Sequence, residues 1–147
     1  MALMKKNNME YIIVVGCGRT GSHLANLLSK AGKSVVIIDK EEKKFQKLSE
    51  EFSGFMLEAD AIEIDVLEQA KIAKADVLIT AAADDSTNMM IAQVATKIYE
   101  VPLVLARVID PAEIPVYEAL EIQIISPTIL SAQLLYELIV GKHKEEK

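Results

Sequence analysis

Short apolar runs alternate with helical patterns along the whole chain. The runs read as nearly continuous Val, Ile and Leu, and no linker, repeat or low-complexity stretch interrupts them. These observations predict an α/β fold, a doubly wound six-stranded parallel sheet of the Rossmann type with both faces covered and right-handed crossovers. The expected organisation is an N-terminal tail over 1–10, the doubly wound domain over 11–126, a C-terminal interface helix over 127–141 and a tail over 142–147.

Taken in order, the first strand is Tyr11–Val15, followed by a glycine-rich turn and a helix over Thr20–Ala31. Gly32 stands where a left-handed residue closes a helix. The second strand is Ser34–Asp39, and a helix is expected over Glu41–Phe52. Strands at Phe55–Glu58, Asp76–Thr80, Leu103–Arg107 and Gln123–Ile125 then alternate with helices over Ile62–Ala73, Ser86–Glu100 and Ala112–Leu120. Asp85 or Ser86 is the expected cap of the Ser86–Glu100 helix. In "ISPT", Ser126 caps the last helix and Pro127 takes its first position, and the helix runs to about Val140.

Bulk properties narrow the function classes. The 147 residues suit one domain, and the longest apolar runs fall far short of the ~20 residues that cross a bilayer. The N-terminal "MALMKKNNMEY" lacks an apolar core and a cleavage site, so a soluble intracellular chain is expected. A formal charge of −6 argues against a nucleic-acid partner, which would need clustered Lys and Arg. A single cysteine, Cys17, fits a reducing compartment and excludes an intrachain disulfide. His23 and His143 lie far apart, so no metal centre is expected.

The chemistry concentrates at Gly16-x-Gly18-x-x-Gly21, which follows a strand, opens a helix, and has Asp39 at the end of the next strand. Gly16 permits the tight turn, Gly18 lets the backbone approach a diphosphate, and Gly21 lets helix and strand pack closely. Free amides and the positive helix end then favour phosphates. The Asp39 carboxylate accepts hydrogen bonds from the adenosine ribose and would repel a 2′-phosphate, so NAD is favoured over NADP. Arg19, inside the turn, reaches a phosphate, a partner subunit or a surface acid. Arg107 ends the fifth strand at the edge that lines the ligand crevice, where it points toward the same nucleotide or pairs with a surface acid. Asp60 either meets adenosine or caps the helix after it, and the two roles are compatible. Cys17 reads as a small residue in a tight loop or as a redox sensor whose thiol the helix end acidifies. His23 reads as a packing or surface residue.

A dehydrogenase needs a region that holds substrate and residues that move a proton. The doubly wound unit ends near Ile125, and no Tyr is followed four residues later by Lys: Val15, Leu103, Glu121 and Val140 stand there. A nucleotide read rather than reacted is the expectation. The alternative is a small NAD-dependent oxidoreductase whose partner supplies the substrate site. In "PTILSAQLLYELIVG", Ile129, Leu130, Leu134, Leu135, Leu138, Ile139 and Val140 spread around most of the helix circumference. One face of its own sheet cannot satisfy such a helix, so it is expected to pack on, or swap onto, a neighbouring subunit.

The motifs "GCGRTGSHLA", "VVIID", "EADA", "AKADVLITAAADDSTNMMIAQVA", "LARVIDP" and "ISPT" resemble, in order and spacing, the RCK N-terminal (KTN, TrkA-N) domain. That domain is the nucleotide-binding regulatory module of TrkA and KtrA potassium-uptake subunits and of ligand-gated potassium channels. The resemblance implies a cytoplasmic, non-enzymatic subunit, peripheral to the inner membrane face, that binds NAD, NADH, ATP, ADP or AMP. It also implies homo-oligomers, dimers and octameric rings, docked on a membrane potassium transporter or channel. Gly16, Gly18, Arg19, Thr20 and Gly21 match the phosphate turn, with Cys17 inside it. Asp39 and Lys40 match the ribose end, Asp60 and Ala61 the adenosine-contacting pair, and Ala82 and Ala83 the approach of the fourth strand. Arg107 matches an arginine that reaches distal phosphates or the adjoining subunit. Ala59 departs from the usual glycine. Many relatives continue into a second, C-terminal domain; either a separate partner chain supplies it here or the sequence is truncated.

Overall fold

The computed structural model describes residues 9–141. The predicted tail over 142–147 and most of that over 1–10 lie outside the described residues. Six parallel strands, β1 (Tyr11–Val15), β2 (Ser34–Asp39), β3 (Phe55–Glu58), β4 (Val77–Thr80), β5 (Leu103–Arg107) and β6 (Gln123–Ile125), form one sheet in the order β3-β2-β1-β4-β5-β6. Five α-helices accompany them: α1 (Arg19–Lys30), α2 (Ile64–Gln69), α3 (Asp85–Gln93), α4 (Ile114–Ala119) and α5 (Pro127–Val140). The predicted doubly wound fold is therefore present, with its strand order reversing between β1 and β4.

Strand alternation divides the core in two. Ile12, Val14, Val35 and Ile37 face α1 through Ala25, with Cys17 in the same cluster. Ile13, Val15, Val36 and Ile38 face the other way, onto Val66 and Leu67 of α2, Ile91 and Ala92 of α3, and Tyr117 of α4. The central strands are almost continuously apolar because each face is covered, with Thr80 the buried polar exception at the end of β4.

Several helices are shorter than the periodicity predicts. The segment expected as a helix over Glu41–Phe52 holds only a 3₁₀ turn, Glu42–Lys47, with no buried residue. Side chains of α1 take up backbone groups in and just after it: Asn26 Oδ1 accepts from Ser49 N at 2.9 Å and Ser29 Oγ accepts from Ser53 N at 3.0 Å. Those bonds compete with an i→i+4 ladder. The Ile62–Ala73 pattern resolves into α2 and a 3₁₀ turn, Ile72–Lys74, separated by Lys71 at φ 63°. The Ser86–Glu100 pattern is α3 continued by a π-helical turn, Val94–Ile98, and it ends at Glu100, φ 50°. The Ala112–Leu120 pattern is a 3₁₀ turn, Pro111–Glu113, running into α4.

The cap of α3 is Asp84, whose carboxylate accepts from Thr87 N at 3.2 Å; Asp85 and Ser86, expected as caps, are helical. The fourth strand starts at Val77, one residue later than expected, and the Asp76 carboxylate accepts from Glu10 N and Tyr11 N, both at 2.9 Å. Gly32 takes φ 86° past the end of α1, and Ser126 caps α5 above Pro127, as the sequence indicates. α5 has no buried residue. Among the described residues, no helix is long and apolar enough to cross a membrane.

Candidate functional site

The C-terminal ends of β1, β2, β4 and β5 open onto one cleft of about 400 Å³. Gly16, Gly18, Arg19, Asp39, Lys40, Asp60, Ala61, Ala82, Ala83 and Arg107 all line it. Cys17, Thr20 and Gly21 do not; Cys17 and Gly21 are buried behind the turn and Thr20 is exposed.

The three glycines of the turn differ physically. Gly16 sits at φ 99°, and a Cβ there would meet the Ala81 carbonyl oxygen at 2.6 Å. A Cβ on Gly21 would fall 1.8 Å from the Gly16 carbonyl oxygen, so α1 approaches β1 only because that side chain is missing. Gly18 is different: its φ of −84° is ordinary, and a Cβ there would meet no protein atom within 4 Å. Folding gives no reason for glycine at position 18. Its open side is the cleft, where a ligand backbone would come close.

Asp39 ends β2 with each carboxylate oxygen already accepting one amide, Cys17 N at 2.7 Å and Glu41 N at 2.8 Å. Each oxygen keeps a further lone-pair direction for a hydroxyl donor. The Cys17 bond locks the glycine turn to the end of β2, and the Glu41 bond fixes the carboxylate's orientation. Cys17 itself is fully buried, its Sγ–H donates to Lys44 O at 3.3 Å, and burial followed by the nearby Asp39 carboxylate pushes its thiol pKa up. This burial fits the reading of Cys17 as a small residue in a tight loop and not the redox-sensor alternative: desolvation outweighs the helix end. His23 is exposed on α1, and His143 lies outside the described residues.

Asp60 serves as a local cap, accepting from Ile62 N at 3.1 Å, while also lining the cleft. Arg107 crosses toward β4, donating from Nη2 to Ala82 O at 2.9 Å. Its Nε is buried and has no hydrogen-bond partner among the described residues. Asn88, fully buried on α3, accepts from Thr80 Oγ1 at 2.7 Å and Ala82 N at 2.8 Å. It donates to Ala82 O at 3.0 Å and Arg107 O at 3.2 Å. Asp85, one turn before it on α3, accepts from Ile109 N at 2.8 Å and Asp110 N at 3.0 Å, tying down the loop after β5.

The sequence reading missed Lys44, Asp84 and Thr87, which also line the cleft. Lys44 was hidden by the expected long helix, whose replacement by a 3₁₀ turn brings it beside Asp39. The Asp84-x-x-Thr87 spacing is a cap signature that pointed to its own position.

The fold and the cleft define a doubly wound α/β domain whose glycine turn, acid-tipped second strand and strand-end arginine converge at the topological switch point. The sequence profile of the TrkA-N domain matches residues 12–127, and the chain belongs to that family. It is 32% identical over 130 residues to the Trk system potassium uptake protein TrkA of Streptomyces coelicolor, covering 88% of this chain and 58% of the relative. The chain therefore spans somewhat over half the length of that relative. Among solved structures, the AMP-bound Kef CTD of Shewanella denitrificans is 27% identical, with a TM-score of 0.74 over 90% of this chain and 80% of that one. The GsuK channel bound to NAD is 25% identical, with a TM-score of 0.74 over 92% of this chain and 24% of that one.

Proposed function

We propose that the chain is a nucleotide-binding regulatory subunit that gates a potassium transporter or channel from the cytoplasmic side, peripheral to the membrane through that partner. An adenine nucleotide (NAD, NADH, ATP, ADP or AMP) occupies the cleft without being turned over. Gly18 carries this reading: it is a glycine that the protein's own packing does not require, open toward the cleft at a helix N-terminus. The buried, unpartnered Nε of Arg107 fits the same ligand, because an anion entering the cleft would relieve it. The lining supplies amides and cations for phosphates and carboxylates for ribose hydroxyls, which is the chemistry of recognition. The bound nucleotides of the Kef and GsuK relatives and the name of the Streptomyces relative support the assignment.

Gating requires an assembly with two arrangements to which ligands bind unequally, since equal affinity shifts nothing. α5 is the proposed oligomerisation element of a dimer or octameric ring. Leu138 and Ile139 are 70% and 80% exposed, and Leu130, Leu134 and Leu135 are also exposed. Apolar surface of that extent suits a second copy better than water. A separate chain carrying a C-terminal RCK domain is a further proposed partner.

Native mass spectrometry of protein purified from its own host tests the reading: a retained adenine nucleotide and a multi-subunit mass are expected. A lone, unliganded chain at high concentration with nucleotide supplied would overturn it, and so would oxidation of NADH by the isolated chain.

A further inference from the structure

We propose that Asn88 is a positioning residue that sets the cleft's preference for longer phosphate chains by holding Arg107 and the Ala82 peptide in one geometry. The inference rests on the nucleotide reading above and deepens it, since Asn88 itself does not line the cleft.

The Asn88 amide is fully buried and makes four hydrogen bonds, its whole ordinary capacity. Its orientation follows from its neighbours: Ala82 N–H only donates, and the Ala82 and Arg107 carbonyls only accept. The asparagine thereby clamps the end of β4 to the end of β5 from the far side of the cleft wall. On the near side the Arg107 guanidinium grips the same carbonyl, Ala82 O, through Nη2. Arg107 is consequently fixed at its backbone by Asn88 and at its tip by the peptide that Asn88 also holds. The guanidinium N–H groups not used on Ala82 O, including the unpartnered Nε–H, are presented from a rigid base. Without Asn88 the base loosens, and charge-assisted bonds to phosphates beyond the first weaken. Recognition of adenosine and its first phosphate, at Asp39 and the glycine turn, is on separate elements and stays intact.

The test compares affinities for AMP, ADP and ATP by calorimetry in the wild-type chain, Asn88→Ala, Arg107→Ala and the double variant, below each melting temperature. Asn88→Ala is expected to lower the ATP-to-AMP affinity ratio roughly ten- to hundredfold. Arg107→Ala should do the same, and the double variant should lose no more than either alone. Thr80→Val removes a different bond to the same asparagine and should lower the melting temperature while leaving the ratio unchanged. In the wild-type chain, where folding is not at stake, the Asn88 side-chain NH₂ resonances should shift with ATP and hold still with AMP. Equal losses for all three nucleotides, additive effects in the double variant, or Asn88 signals indifferent to ATP would overturn the proposal. Wild-type protein that binds none of the three would overturn the nucleotide reading itself, and this inference with it.

Discussion

Asn88 Nδ2 and Arg107 Nη2 converge on one oxygen, the carbonyl of Ala82, at 3.0 and 2.9 Å. One peptide at the end of β4 thus gathers the buried scaffold and the cationic wall of the cleft. Truncating the asparagine leaves Thr80 Oγ1, Ala82 N and the Arg107 carbonyl without its bonds, while Ala82 O keeps Arg107 Nη2. Asn88→Ala is expected to cost about 2–4 kcal/mol, because each stranded buried polar group carries a desolvation penalty. Thermal unfolding checks this, and an unchanged melting temperature would show that water replaces the amide at no cost.

Gly18 and Gly21 should separate folding from binding. Gly21→Ala forces a Cβ into the Gly16 carbonyl and is expected to destabilise by roughly 3 kcal/mol or more. Gly18→Ala meets open space and should stay within about 0.5 kcal/mol of wild type. Its nucleotide affinity should nevertheless fall at least about tenfold, equivalent to ~1.4 kcal/mol. Denaturation and calorimetry on the two variants read the two effects apart.

Arg107→Ala should weaken ATP, with three phosphates, more than ADP or NADH, with two each, since its guanidinium is proposed to count phosphates. Equal losses for the three ligands would remove that role from Arg107 and leave it a structural strut across β4 and β5.

Tyr117 is fully buried, and its hydroxyl donates to Asp85 O at 2.6 Å. Burial, reinforced by the Asp85 charge, pushes its pKa up to about 12 from the ordinary tyrosine value near 10.0. The folded state therefore holds this proton more tightly than the unfolded chain does. Its stabilising contribution is complete below pH ~10 and is lost as pH climbs from there toward about 12. Tyr117→Phe should be less stable at neutral pH and lack this alkaline component. A parallel alkaline decline in both proteins would assign the loss to other groups.

Leu134→Glu combined with Leu138→Glu alters side chains that are 57% and 70% exposed on α5. Light scattering is expected to show an oligomer becoming a monomer, with a melting temperature little changed at low concentration. A wild-type chain already monomeric would remove α5 from the interface.

Much of the fold was legible because its signals are local. Continuous apolar runs marked strands buried on both faces, and five of the six strand ranges coincide with the structure. Ser126-Pro127 and Gly32 marked helix ends through their own backbone chemistry. The helices were misjudged where another element intervenes. Asn26 and Ser29 on α1 unmake the expected Glu41–Phe52 helix, and left-handed Lys71, Glu100 and Glu121 end helices or turns at residues that carry no glycine-like signal. The choice between the two readings of Cys17 was not legible for the same reason, since its burial depends on residues 22 or more positions away.

By itself the sequence determined the alternation of strand and helix, the glycine turn, the acid at the tip of β2 and the apolar circumference of α5, all properties of residues within a few positions of one another. Only tertiary structure decided that Gly18 faces open space while Gly21 is wedged against Gly16, and that Asn88 and Arg107 meet at Ala82. Those relations depend on how β1, β4, β5 and α3 pack, and close packing of distant segments is not encoded in any one stretch of chain.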